Sequence, residues 1–174
     1  ERVGYHRYTY ANAGRADIIV SLGGKSGSAK MVNGHVTAVG DQQLEGYYDR
    51  IDGRWGGPPK IRTFFVIELD KAFSNFETWS NGFEDQSGVV VYDDLEAGEQ
   101  INMKVAVSFT SIENARLNLE AEATDRDFDE VAQESRDVWN DYLGRIDVQG
   151  GTPELRTKFY TDLWHALMGR HKLN

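Results

Sequence analysis

The spacing of apolar residues divides this chain into two regimes. Before Thr110 apolar side chains tend to recur at every second position, and beyond it they recur at helical spacing. The clearest alternation is Ile101, Met103, Val105, Val107 and Phe109, with Asn102, Lys104 and Ser108 on the opposite side. That pattern predicts a strand with one buried face. Residues 60–69 are apolar on both faces through Phe64-Phe65-Val66-Ile67, which predicts a central strand covered on two sides. Further strands are expected at residues 5–10, 17–22, 43–48, 73–79 and 88–92. Asn33-Gly34 lies between residues 30–32 and 35–39. It carries the signal of a two-residue hairpin, because both central residues of such a turn take positive φ. Residues 23–28 read as a hairpin loop, and residues 54–59 as a loop by composition. No helix-length segment separates these strands. That argues against βαβ units and for an antiparallel sandwich or barrel of short strands.

The helical regime opens at Thr110-Ser111-Ile112-Glu113, which has the form of a capping box. Ile112, Ala115 and Leu119 then share one helical face. A second helix is expected from Asp127-Phe128-Asp129-Glu130. Its stripe is Phe128, Val131, Ala132, Ser135, Val138, Trp139, Tyr142 and Leu143, and Gly144 is placed as the residue after its C-cap. A third is expected with Thr152 as N-cap and Pro153 in the first turn. Its face is Leu155, Phe159, Tyr160, Leu163, Trp164 and Leu167, and Gly169 ends it. A single apolar helix after a long run of strands has little to pack on. A chain that opens a helical layer and stops at Asn174 reads as part of something larger.

Composition narrows the class. With 174 residues, 40% hydrophobic and 27% charged, the chain has room for one domain, or for a small domain and the start of another. Its 28 acidic residues against 19 basic argue against a nucleic-acid partner, since a phosphate backbone needs a clustered positive face. The longest cationic run is only Arg170-His171-Lys172. There is no cysteine, which excludes thiolate metal sites and disulfides. No run approaches the ~20 apolar residues of a membrane-spanning helix.

Several constellations carry less chemistry than they suggest. Asp125, Asp127 and Asp129 alternate as in half a calcium loop. Glu130 then stands where a glycine is needed and Arg136 where a bidentate Glu is needed, so helix capping explains these acids better. His6, His35, His165 and His171 include no i,i+4 pair. Glycosidic cleavage needs two carboxyls ~5–10 Å apart across a pocket. The adjacent acids Glu84-Asp85 and Asp93-Asp94 read instead as solvent-facing turn residues. Ser21, Ser74 and Ser87 lack a nucleophile elbow, and Gly23-Gly24-Lys25-Ser26 lacks the spacing of a phosphate-binding loop. Trp55 and Trp79 lie in or beside Gly-rich turns. Each can stack on the apolar face of a sugar or ring the sandwich edge as core.

Taken in order, these segments resemble one family. Gly4-Tyr5-His6-Arg7-Tyr8-Thr9-Tyr10 resembles the G-x-H-R-Y-T-F strand of family 92 glycoside hydrolases, the calcium-dependent exo-acting α-mannosidases. Phe64-Phe65-Val66 with Lys71-Ala72-Phe73 is similar to that family's Y-F-V-x-x-F-D-x-P-F stretch. Ser108-Phe109-Thr110-Ser111-Ile112-Glu113-Asn114-Ala115-Arg116-Leu117-Asn118-Leu119 resembles S-F-x-S-x-E-x-A-x-x-N-L. Trp139-Asn140, Gly150-Gly151-Thr152 and Phe159-Tyr160-Thr161-Asp162-Leu163-Trp164-His165 complete the series, the last resembling F-Y-T-A-L-Y-H.

The resemblance implies a mainly β fold: an antiparallel β-sandwich over residues 1–109, linker helices over 110–151, and the first helix of an (α/α)6 barrel over 152–174, cut short. It implies inverting release of terminal α-linked mannose from glycans. One carboxyl would protonate the leaving oxygen, another would activate water, and calcium would help hold the sugar. The family's acids and calcium ligands lie in the later barrel, and no position here matches them. The fragment alone is therefore expected to be inactive and to bind no calcium. Its implied partners are mannose-containing glycans and the remaining barrel, and its implied location is secreted, periplasmic or at the cell surface. Candidate substrate contacts are Trp55, Trp79, Arg170 and His171, with Arg170-His171-Lys172 standing where A-P-N is common. The other reading of the same residues is a carbohydrate-binding or structural sandwich with no catalysis of its own. An incomplete sheet would leave open edges, which predicts association in solution.

Overall fold

The structure is a computed structural model that describes residues 2–52, 59–80, 82 and 85–168. Trp55, Arg170 and His171 lie outside the described residues. The chain forms two units, Glu1–Phe128 and Asp129–Asn174. The first unit carries nine strands among the described residues: β1 (Val3–Thr9), β2 (Gly14–Val20), β3 (Gly24–Ser26), β4 (Ala29–Val39), β5 (Gln43–Ile51), β6 (Lys60–Leu69), β7 (Asn75–Trp79), β8 (Ser87–Leu95) and β9 (Gln100–Ser108). Three helices follow: α1 (Ile112–Ala123), α2 (Phe128–Gly144) and α3 (Pro153–Met168).

A six-stranded sheet, in the order β1-β9-β6-β5-β4-β3, faces a three-stranded sheet, β2-β8-β7, and every pairing is antiparallel. Leu44, Phe65, Ile67, Leu69, Ile101 and Met103 of the larger sheet meet Ile18, Val90 and Tyr92 of the smaller to form the core. The alternation in β9 marks the face that meets this core, but the opposite face is covered too, since Ala106 and Ser108 are buried there. β6 is the doubly covered strand that its composition predicts. Phe65, Ile67 and Leu69 face the sandwich core, while Val66 faces the other way, into a second cluster with Ala106, Ala115, Leu119 and Ala123. Helix α1 thus lies on the outer face of the large sheet, and burying Leu119 there contributes about 2 kcal/mol.

Polar contacts pin both ends of this layer. Asn118 donates to the carbonyl of Val107 at 2.8 Å, and Arg2 bonds the Glu122 carboxylate through its Nε at 2.9 Å. Arg7 donates to Asn102 Oδ1 at 2.8 Å, and its guanidinium lies 4.3 Å from the Phe128 ring centroid. These contacts hold residue 128 against the sandwich.

The second unit is a helical pair. Trp139 and Trp164 meet edge to face with ring centroids 6.0 Å apart. The Tyr160 hydroxyl donates to the Ile146 carbonyl at 3.0 Å and accepts from the Val148 amide at 3.3 Å, which fixes the connecting segment. Neither α2 nor α3 contains a buried residue, and Val138, Tyr142, Leu155 and Phe159 of their apolar stripes are exposed.

Four local expectations are corrected. Asn33-Gly34 is a β-bulge inside β4, because the register shifts by one between Val32 and His35. Asn33 takes φ 52°, and its Nδ2 donates to Asp49 at 3.0 Å, so the positive φ serves a bulge instead of a turn. The two-residue turn is Gly27-Ser28, between paired Ser26 and Ala29, with Gly27 at φ 61°. The α1 cap is Ser111, whose hydroxyl accepts from the Asn114 amide at 3.0 Å, so the cap stands one residue beyond the predicted Thr110. Phe109 is 67% exposed, since β9 ends at Ser108, where Ser108 Oγ and Thr110 bond each other and turn the chain. Gly144 is the last residue of α2 itself, inside the helix and not beyond its C-cap.

Candidate functional site

The most organised polar cluster sits on the outer face of the large sheet, beyond α1. Register places Asp49 of β5 directly beside Arg62 of β6 and Val32 of β4. The Asp49 side chain is fully buried, yet four contacts satisfy it. Arg62 binds it bidentately, Nε to Oδ1 at 2.7 Å and a terminal nitrogen to Oδ2 at 2.9 Å. Lys60 reaches Oδ2 at 2.8 Å and Asn33 donates to Oδ2 at 3.0 Å. The Arg62 guanidinium is the main cause that holds the Asp49 carboxyl well below the ordinary carboxylate range. Burial opposes it, while Lys60 and Asn33 add to it. The same pair raises the pKa of Arg62.

Aromatic rings extend the cluster. Arg62 stacks 4.4 Å above the Tyr47 ring, Phe64 meets Tyr47 edge-on at 6.2 Å, and His35 lies 5.7 Å from Tyr47. A carboxylate this saturated with donors stays ionised, so Asp49 is no proton donor. It anchors cations on a sheet face.

A second feature is a polar cleft of about 380 Å³ between α1 and the same sheet, lined in part by Gln43, Glu68, Lys104, Arg116, Glu120 and Asp125. Its cations are already engaged. Arg116 donates to Gln43 Oε1 at 2.7 Å and pairs with Glu45. Lys104 donates to the Ala123 carbonyl at 3.1 Å and pairs with Glu68 at 3.3 Å. The cleft ties the helix to the sheet through side-chain bonds.

Of the predicted contacts, Trp79 is placed as the last residue of β7, an edge strand of the small sheet, opposite Ser87 and 36% exposed. Asp85 departs from its solvent-facing expectation. It is buried and accepts from the Ser87 hydroxyl at 2.9 Å, which in turn accepts from the Leu22 amide at 2.9 Å. Asp93 and Asp94 are exposed as expected; Glu84 lies outside the described residues. Among the described residues no group of three or more His, Asp or Glu is arranged to hold a metal ion. Among them, too, no helix is long and apolar enough to cross a membrane.

Sequence reasoning missed the Asp49–Arg62 cluster. The two residues are thirteen apart in the chain and become neighbours only through the β5–β6 register.

Comparison with known proteins places this architecture. Residues 1–108 match the Glycosyl hydrolase family 92 N-terminal domain, and residues 114–174 match the Glycosyl hydrolase family 92 catalytic domain. No curated protein matches the chain. Among solved structures, the family GH92 alpha-mannosidase BT3965 from Bacteroides thetaiotaomicron superposes with a TM-score of 0.71 at 20% identity, over 95% of this chain and 24% of that one. The GH92 family glycosyl hydrolase ccman5 gives 0.67 at 22% identity, over 94% and 23%. The family GH92 inverting mannosidase BT2199, also from B. thetaiotaomicron, gives 0.63 at 23% identity, over 94% and 24%. At such identities the likeness establishes the fold, and the chain spans about a quarter of the length of these solved proteins. With the N-terminal domain matched over 108 residues and the sandwich-then-helices order shared, this chain belongs to glycosyl hydrolase family 92.

Proposed function

We propose that this chain is the sandwich and first helices of an exo-acting α-mannosidase that removes terminal α-linked mannose from glycans with inversion and with the help of calcium. The observation that carries the reading is the match to both family domains in order along one chain, with sandwich and helices where those domains require them. Mannose as the sugar is supported by the solved relatives, two of them mannosidases by description, one solved also in complex with mannoimidazole. In this reading the paired carboxyls and the calcium ligands come from the later part of the barrel. The sandwich contributes a base: the β6 layer and α1 cover the outer face of the large sheet, and Arg7, held by Asn102, lies against Phe128.

The test compares the 174-residue chain with its full-length parent on α-mannosides, with and without a calcium chelator. Turnover by the parent that the chelator abolishes, with none by the chain alone, is expected. Turnover by the chain alone would overturn the scaffold role, and a parent silent on every α-mannoside would overturn the activity.

A further inference from the structure

The sheet assembles a cationic row that is scattered in the sequence. Lys25 pairs with Lys30, Lys30 with Ile51, and Ile51 with Lys60, so the three lysines stand in one line across β3, β4, β5 and β6. Directly opposed residues share a face, and strands lie about 4.8 Å apart, so the line spans about 14 Å. The next row on that face holds Val32, Asp49 and Arg62, and the one after it His35, Tyr47 and Phe64. This is the outer face of the large sheet, at the end away from α1. Lys30, Lys60 and Arg62 keep side-chain exposures of 44%, 55% and 40%, and Lys25 is exposed. Four cations here meet two carboxylates, Asp49 and Asp52. The patch is therefore positive on a chain whose net charge is −9.

Two features select among anions. The platform is a strand face with its lysines in a line, which suits an extended chain better than a compact ligand. Its excess charge is small and spread along a line, next to the half-buried rings of Tyr47 and Phe64. A duplex with one charge per ~1.7 Å of axis is far denser than this row. A polysaccharide with about one charge per sugar matches the sparse row.

We propose that this face binds an extended anionic polysaccharide, with Lys25, Lys30 and Lys60 reading its charges. The proposal does not depend on the mannosidase reading.

Affinity electrophoresis of the full chain in gels containing polygalacturonate, dextran sulfate of low substitution (about one sulfate per sugar) or neutral mannan tests it, with a single-stranded oligonucleotide as a fourth arm. Retardation by polygalacturonate or dextran sulfate is expected, and the stronger arm tells carboxylate from sulfate recognition. It should vanish near ~0.5 M salt, where screening shortens the reach of exposed charges to a few ångströms. K25Q/K30Q/K60Q should weaken binding at least ~10-fold. K25Q/K30Q, which leaves the partners of Asp49 intact and so keeps the test independent of the fold, should weaken it about 3-fold or more. Lys158→Gln, which removes a charge from α3, should leave it unchanged. Equal retardation by mannan, tighter binding of the oligonucleotide, no retardation by either acidic glycan, or full binding by K25Q/K30Q would each overturn the proposal.

Discussion

Asp49→Asn removes the one fully buried carboxylate of the outer sheet face among the described residues while keeping its shape. Truncating one partner of a buried ion pair costs about 3–5 kcal/mol when the other partner is left buried. Here Arg62 and Lys60 are 40% and 55% exposed and can turn toward water, and Asn33 keeps an acceptor on the new amide oxygen. The expected loss is therefore smaller, about 2–3 kcal/mol, or about 5–10 °C in the Tm of the sandwich unit. Chemical denaturation at pH 7 reads it directly, and a cycle with Arg62→Met should give a coupling of about 1–2 kcal/mol. The pH dependence follows from the sign of the shift. The folded Asp49 pKa is depressed, so the unfolded chain takes up the proton first. The stabilisation is present above the unfolded value near ~3.9 and is lost as pH falls below it toward the folded pKa. The gap between native and variant chain should thus be full at pH 6 and close progressively below about pH 4. A variant within ~0.5 kcal/mol of the native chain at pH 7, or a gap that widens in acid, would refute the reasoning.

Other substitutions probe the same layers. Gly46→Ala would set a methyl 2.0 Å from the His35 carbonyl oxygen and 2.8 Å from the Phe65 ring, so β5 must shift away from β4. A loss above about 3 kcal/mol is expected by denaturant titration, and a neutral result would mean that the strands are not this close. Leu119→Ala should cost about 2–4 kcal/mol by opening the cluster under α1, whereas Leu117→Ala, on the exposed side, should cost under ~0.5 kcal/mol. Ser111→Ala should cost about 1 kcal/mol and Thr110→Ala less, which separates the observed cap from the predicted one in thermal melts.

What was legible in the sequence followed from periodicity. Ile101 and Met103 alternate with polar neighbours and are buried; Phe64-Phe65-Val66-Ile67 has no polar face, and it became the strand with a core on each side. Positive φ at Asn33 was also legible, but its use was not. A hairpin and a bulge ask for the same residue, and only the partner strand and the Asp49 carboxylate decide between them. Asp85 looked like a turn acid because a pair of adjacent acids is normally solvated, and its burial depends on Ser87 from the following strand. The Asp49 cluster and the lysine row are likewise products of register. Neither has a local signature, since Lys25, Lys30 and Lys60 come from three strands.

The account turns on whether this scaffold belongs to an enzyme that cleaves terminal α-mannosides. Proton NMR of the full-length parent acting on an α-linked mannoside tests that most directly, because the first product is seen before its anomers equilibrate. Free mannose should appear first as the β anomer, as inversion demands. Mannose that appears first as the α anomer, or no mannose at all from any terminal α-mannoside, would contradict it.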